Sequence, residues 1–204
     1  MAQLFCRDLR GGDILLKVNA GSFVNKVINL GQKIVGLSNA QIVHAGVMFD
    51  SMYIIEASGP GLIAGDLRVK DKAFGYYVYR CKNANMATAA GTCAKLFFDI
   101  QGRTGAMKYN ALGAAGSLFG SSGQATSPGE MDAVLERILQ GKSHPFFCSQ
   151  FVVYVYQYVA EQNGISAATL FRLSDAKVPP STLAALLQGH PLFQEIGYLM
   201  PNER

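Results

Sequence analysis

The sequence predicts an α+β fold, in which a small antiparallel sheet or half-barrel packs against helices. Two observations lead to this prediction. Short runs of apolar, β-branched and aromatic residues are bounded by turn residues, which is typical of strands. Longer segments repeat apolar residues at helical spacing. The chain has 204 residues, half of them hydrophobic and only 16% charged, so we expect a single globular domain spanning 1–204.

The predicted strands are separated by clear turn signals. Gly12-Asp13 precedes the first strand, a turn at Asp50-Ser51 joins the second to the third, and Gly59-Pro60-Gly61 ends the third. The fourth is rich in tyrosine and valine, which favour strands. The predicted strands are residues 14–18, 42–49, 52–57, 76–81 and 193–199.

The predicted helices carry their own start and stop signals. Ser22 can cap the first helix, residues 127–130 resemble a capping box, and Asn163-Gly164 ends the longest apolar helix. The predicted helices are residues 22–37, 85–100, 131–139, 147–162 and 181–187. Residues 102–127 are rich in Gly, Ala and Ser, so they are predicted to be an irregular loop inserted into the domain.

Charge and cysteine patterns exclude several classes of protein. The net charge is +4, and Lys and Arg are scattered, so the sequence does not predict a nucleic-acid interface. The four cysteines lack close spacing and the three histidines lie far apart, which gives no metal or cofactor site. No apolar stretch is long enough to span a membrane. The N-terminus does not resemble a signal peptide, so we expect a protein that is cytoplasmic as synthesised.

Cys148 is the strongest candidate nucleophile. It opens a predicted apolar helix, where unpaired N–H groups and the positive end of the helix dipole stabilise a thiolate and are expected to lower its pKa. The same N–H groups could bind the oxyanion of a tetrahedral intermediate. Its helical face is expected to lie on the core side, where a strand could present a base. A buried structural cysteine is an equally good reading of this position alone.

His44 and Glu56 are the candidate base and its partner. Both interrupt apolar predicted strands, and a buried carboxylate is costly unless it is paired. In a hairpin centred on Asp50, His44 and Glu56 would face each other directly, and the carboxylate would orient the imidazole. A core histidine or a buried ion pair without catalytic function remains the alternative. His144, four residues before Cys148, is a weaker candidate base.

Four motifs in order resemble the circularly permuted NlpC-type members of the papain-like superfamily. They are Gly12-Asp13-Ile14-Leu15-Leu16, His44-Ala45-Gly46-Val47, Ile55-Glu56-Ala57-Ser58 and Phe147-Cys148-Ser149-Gln150-Phe151-Val152. The resemblance spans roughly residues 11–199. It implies a papain-like fold and a triad in which Cys148 attacks, His44 is the base and Glu56 orients it.

The resemblance also implies that Tyr109 matches a tyrosine that assists the oxyanion site. Ser149 and Gln150 follow the nucleophile directly, and they are candidate oxyanion or substrate contacts or simply caps of the helix. Three departures bear on substrate choice: Ala45 replaces a β-branched residue, Gln150 replaces a small or acidic one, and the loop at 102–127 is longer.

The resemblance implies a cysteine peptidase or amidase that cleaves amide bonds in peptidoglycan stem peptides, without a cofactor. A dedicated secretion system could deliver such an enzyme as an antibacterial effector, with an inhibitor or immunity protein as partner. The alternative is an acyltransferase or lipid hydrolase similar to lecithin:retinol acyltransferase, with an apolar groove beside Cys148. A binding module with a vestigial triad is the non-enzymatic hypothesis.

Overall fold

A seven-stranded mixed sheet is the centre of the structure. The computed structural model describes residues 2–18, 42–58, 61–70, 73–104, 107–109, 144–146, 148–171 and 178–200. The order of strands is β1-β9-β6-β2-β3-β4-β5, and β7 and β8 form a separate parallel pair. The strands are β1 (Gln3–Leu4), β2 (Ile14–Val18), β3 (Ile42–Met48), β4 (Tyr53–Ser58), β5 (Gly61–Asp66), β6 (Gly75–Cys81), β7 (Met107–Tyr109), β8 (His144–Phe146) and β9 (Phe193–Leu199).

Four α-helices accompany the sheet in the described ranges. They are α1 (Ala84–Thr104), α2 (Cys148–Gln162), α3 (Ala167–Leu170) and α4 (Pro180–Leu187), and a 3₁₀ helix spans Cys6–Asp8. The predicted α+β class is confirmed. The small antiparallel sheet is corrected, because β1 runs parallel to β9 and the sheet has seven strands. None of the described helices is long and apolar enough to cross a membrane.

Strong periodic segments were placed well from the sequence. The strands at 14–18 and 193–199 have the predicted bounds, and the helix predicted at 85–100 extends to Thr104. The sequence does not predict β5, because Gly59-Pro60-Gly61 indicates the end of a strand, whereas Gly61 begins β5. The loop predicted at 102–127 is corrected in part, since it includes the end of α1 and all of β7. The helices predicted at 22–37 and 131–139 lie outside the described residues.

The two faces of the sheet pack against different layers. Side chains alternate along each strand, so Leu16, Ala45 and Val47 join the core that includes α1 and α2, which we call the helix side. Leu15 and Met48 point the other way, into a second apolar cluster closed by the N-terminal segment. We call this the far side. The alternation decides which site residues share a face.

The hairpin of β3 and β4 differs from its predicted register. The recorded pairs are Val47–Ile55 and Met48–Ile54, so the hairpin is centred on residue 51 rather than on Asp50. The physical reason is the Asp50 side chain, whose Oδ1 accepts hydrogen bonds from the amides of Met52 and Tyr53 at 2.7 and 2.8 Å. This turn uses residues 50–52 as the loop.

Candidate active site

Cys148 lies at the first position of α2, buried with only 4% of its surface exposed. Its sulfur is within hydrogen-bonding reach of the backbone amide of Ala45 in β3, and of the amides of Ser149 and Cys148 itself. The helix start therefore brings the thiol to three backbone donors. One of them belongs to the residue that follows His44 in the chain.

The Ala45 amide is available to the sulfur because of where the β3–β4 ladder ends. Backbone donors alternate between the two edges of a strand. The amide of Met48 donates to Asp13 on the β2 side, whereas that of Phe49 donates to Tyr53 on the β4 side. Ala45 is four residues before Phe49, so its amide also points toward β4. The recorded ladder stops at Val47–Ile55, and Cys148 lies at the opening beyond it.

The environment of the thiol corrects the expected acidity. Burial raises the pKa of Cys148 to about 11, and the charge of Glu56 adds to this effect. Backbone hydrogen bonds from Ala45, Ser149 and Cys148 lower the pKa, but they do not outweigh burial. The thiol is therefore protonated at neutral pH. Nucleophilic attack needs a base that removes the proton during the reaction.

His44 and Glu56 are brought together, although not in the predicted manner. Nε2 of His44 lies 3.7 Å from Oε1 of Glu56. The observed register makes this a diagonal contact between strands, because Glu56 packs over Gly46. Oε2 of the buried carboxylate forms an ion pair with Nζ of Lys70. Oε1 is buried and has no hydrogen-bond partner among the described residues, and Nε2 of His44 is the cationic group that lies near it.

The imidazole lies on the far side of the sheet. His44 pairs with Lys17 in the β2–β3 ladder. Each is an even number of residues from a far-side residue of its own strand, Met48 on β3 and Leu15 on β2, so both side chains point to the far side. The expectation that Cys148 faces the base across the core is therefore corrected, because α2 packs on the helix side. The thiol lies at the Ala45 amide, at the edge of β3 that points toward β4, whereas the imidazole lies on the far side. A contact between them would pass through the opening where the β3–β4 ladder ends.

A cavity of about 370 Å³ lies on the far side and is lined in part by His44. Its chemistry is mixed, with two lysines beside the His44–Glu56 pair. Nζ of Lys17 lies 4.5 Å from the ring centre of Phe74, a cation–π arrangement. The lining residues are Lys17, Val43, His44, Glu56, Ser58, Ile63, Lys70 and Phe74. This volume is at the lower end of the range for small-ligand sites.

The other predicted site residues lie near the start of α2. Tyr109 pairs with Phe146, two residues before Cys148 in the chain. Ser149 is fully buried, and its hydroxyl donates to the carbonyl of Val178, which gives it a structural contact. Gln150 is buried in the first turn of α2. His144, the weaker candidate base, starts β8.

Sequence reasoning missed Lys70, the positive partner of Glu56. It also missed Gly46 and Gly65, whose lack of a side chain leaves room for Glu56 and Lys70. The available signal was the buried carboxylate itself, which demands a positive partner. Many lysines could have supplied it, and only the fold selects Lys70. In the part of the chain that the structure describes, no three metal-ligating side chains cluster.

Comparison of the chain with protein-family models and with curated proteins found no significant match. The functional argument therefore depends on the chemistry of the site.

Proposed function

We propose that this protein is a cysteine hydrolase that cleaves amide bonds in peptidoglycan stem peptides, with Cys148 as nucleophile. The observation that carries the proposal is the position of the Cys148 sulfur. The sulfur lies at a helix start and against the amide of Ala45. The residue before Ala45 is His44, which faces the buried carboxylate of Glu56. These are the parts that thiol acyl transfer requires.

The chemistry begins with a protonated thiol. His44 removes the proton as the sulfur attacks the carbonyl carbon of the amide, and Glu56 stabilises the imidazolium that forms. The tetrahedral intermediate then collapses. Its C–N bond breaks, the imidazolium protonates the leaving amine, and an acyl-thioester remains on Cys148. Water, deprotonated by His44, attacks the thioester and releases the acid and the free thiol.

Backbone donors around the thiol supply the oxyanion site. The amide of Cys148 at the start of α2 and the amide of Ala45 at the open edge of β3 converge on the sulfur. An oxygen on the attacked carbon would lie within reach of the same donors. Tyr109 is the proposed additional donor, as the family resemblance implies. Its strand β7 pairs with β8, which ends two residues before Cys148.

The charge near the base favours an acidic peptide over an acyl chain. Lys17 and Lys70 are both beside His44, and Glu56 neutralises one of the two positive charges. Peptidoglycan stem peptides carry carboxylates that such a cavity can accommodate. An acyl chain has no charge with which these two lysines could pair.

The test is digestion of purified peptidoglycan by the wild-type protein and by Cys148→Ala, with the products identified by mass spectrometry. We expect stem-peptide fragments from the wild type and none from the variant. Cys93→Ala is the matched control, because Cys93 is also buried but lies in the middle of α1. It should cleave as the wild type does.

His44→Gln and Glu56→Gln extend the test to the proposed base and its partner. Both should lower the rate of cleavage by at least about a hundredfold. Absence of fragments from every protein, together with an acyl-enzyme trapped on Cys148 by a fatty-acyl ester, would replace this proposal with the acyltransferase alternative.

A further inference from the structure

The Glu56 carboxylate is shared between two cationic partners. Oε2 forms an ion pair with Nζ of Lys70, and Oε1 faces Nε2 of His44 at 3.7 Å. Both the carboxylate and its contacts are largely removed from water, since the Glu56 side chain is 2% exposed and that of Lys70 is 21% exposed. A carboxylate held at one oxygen has little freedom to rotate. Its second oxygen therefore stays directed at the imidazole.

Lys70 reaches this position by a path that the sheet leaves open. Its backbone amide donates to the carbonyl of Asp66 at 2.7 Å, which fixes the turn after β5. From there the side chain crosses β5 at Gly65. A Cβ added at Gly65 would lie 2.1 Å from Cδ of Lys70, so any larger residue would displace the lysine.

A second glycine continues the same path on β3. A Cβ added at Gly46 would lie 2.7 Å from Cγ of Glu56. Gly65 pairs with Ile54 on β4, and Ile54 pairs with Met48 on β3. The two glycines thus lie on strands either side of β4. Together they clear the far side of the sheet for Lys70 and Glu56 to extend toward His44.

We propose that Lys70 is a positioning residue for the candidate base: by pairing with one oxygen of Glu56, it fixes the other oxygen opposite His44 and offsets part of the negative charge that the imidazole experiences. This inference rests on the proposed function for its catalytic meaning. The effect of Lys70 on the His44–Glu56 contact can be measured without a substrate.

The inference predicts how His44 responds to pH. Among the described residues, the charged and titratable groups near the imidazole are Lys17 from β2, Glu56 from β4, Lys70 from the turn after β5, and Cys148 at the start of α2. Removing the positive charge of Lys70 leaves the negative charge of Glu56 uncompensated. The imidazolium form is then favoured, and the titration midpoint of His44 rises.

The experiment is an NMR titration of the histidine side chains in the full-length protein, with His44→Gln used to assign the His44 signal. We expect Lys70→Met to raise the His44 midpoint by about one pH unit. Lys70→Arg keeps the charge and should stay within about 0.3 unit of the wild type. Lys82→Met is the matched control, because Lys82 contacts the Pro191 carbonyl elsewhere on the surface.

Gly65→Ala provides an independent variant that leaves every charge in the sequence unchanged. Its added Cβ must push the Lys70 side chain aside, so it should raise the His44 midpoint in the same direction. Gly102→Ala is the matched control, since a Cβ there meets nothing within 4 Å. A folded Lys70→Met protein with the wild-type His44 midpoint would overturn the inference. So would Gly65→Ala without a shift.

Kinetics separate this inference from the proposed function. If the protein cleaves peptidoglycan, Lys70→Met should lower kcat about tenfold with little change in KM, and should move the acid limb of the pH profile upward. A protein without hydrolase activity would end the proposed function. The midpoint shift of His44 would still decide whether Lys70 controls the His44–Glu56 contact.

Discussion

Glu56 packs its side chain against the backbone of Gly46, on the neighbouring strand. A Cβ at residue 46 would lie 2.7 Å from Cγ of Glu56 and 2.7 Å from Cδ1 of Ile54, closer than real Cβ atoms approach. Glycine is therefore the residue that lets the carboxylate lie flat on the far side and extend toward His44. The diagonal His44–Glu56 contact depends on this missing side chain.

Gly46→Ala should disturb the candidate site more than the rest of the fold. The added methyl forces both Glu56 and Ile54 to move, which overpacks this region and should cost about 1–3 kcal/mol of unfolding free energy. The displaced carboxylate should also lower cleavage by at least about tenfold. Urea denaturation and the peptidoglycan digest measure the two effects.

The control for this substitution is again Gly102→Ala, where the added methyl meets open space. It should keep activity and lose no stability, because Ala favours a helix such as α1 more than Gly does. If Gly46→Ala retained wild-type activity, Glu56 would not need its observed position for the reaction.

The sequence predicted well what local pattern determines. The strand at 14–18 and the helix beginning near Cys148 follow from periodicity and turn signals. The predicted proximity of His44 to Glu56 agrees with the 3.7 Å between Nε2 and Oε1. Their register differs from the predicted one, because the Asp50 side chain caps two amides and lengthens the loop.

The remaining features depend on contacts far apart in the chain. No residue pattern at a fixed spacing predicts the order of the seven strands or the path of the Lys70 side chain over Gly65. The same holds for the burial of Cys148. The expected low pKa of Cys148 was wrong for this reason. A helix start can be recognised from sequence, whereas the depth of its burial is set by elements distant in the chain.

The reactivity of Cys148 should depend steeply on pH. With a pKa of about 11, its thiolate fraction at pH 7 is about 10⁻⁴, against about 3% for an ordinary cysteine near pKa 8.5. Alkylation by iodoacetamide should therefore be at least about a hundredfold slower than for free cysteine. It should rise about tenfold per pH unit between pH 7 and 10.

Mass spectrometry of the peptide that contains Cys148 would follow this reaction separately from the other cysteines. Burial also raises the pKa of Cys93, to about 12, so it should react even more slowly. A rate for Cys148 that is constant from pH 6 to 9 would instead indicate a preformed thiolate–imidazolium pair. The general-base mechanism would then be wrong.

Ser149→Ala tests whether this residue contributes to structure or to the oxyanion site. Its buried hydroxyl donates to the Val178 carbonyl, just before α4. Loss of that bond leaves a buried carbonyl with one partner fewer and should cost about 1–2 kcal/mol of unfolding free energy. We expect kcat to change less than about threefold. A hundredfold loss of kcat with unchanged stability would restore Ser149 as an oxyanion donor.

Asp13 and Arg80 join the start of β2 to β6 through a buried ion pair. Nε of Arg80 donates to Oδ1 of Asp13 at 2.8 Å, and a second guanidinium nitrogen donates to Oδ2 at 2.6 Å. Oδ2 also accepts the amide of Arg10 at 2.8 Å. The carboxylate is fully buried, so its charge is stable only while these donors remain.

Arg80→Met should therefore destabilise the fold strongly, by about 3 kcal/mol, because it leaves the Asp13 carboxylate buried without its cation. Denaturation in urea measures the change. Arg68→Met is the matched control: it also breaks an arginine–aspartate pair, but that pair lies at the surface, where water replaces the lost contact. Equal losses from the two variants would show that burial of Asp13 does not strengthen its dependence on Arg80.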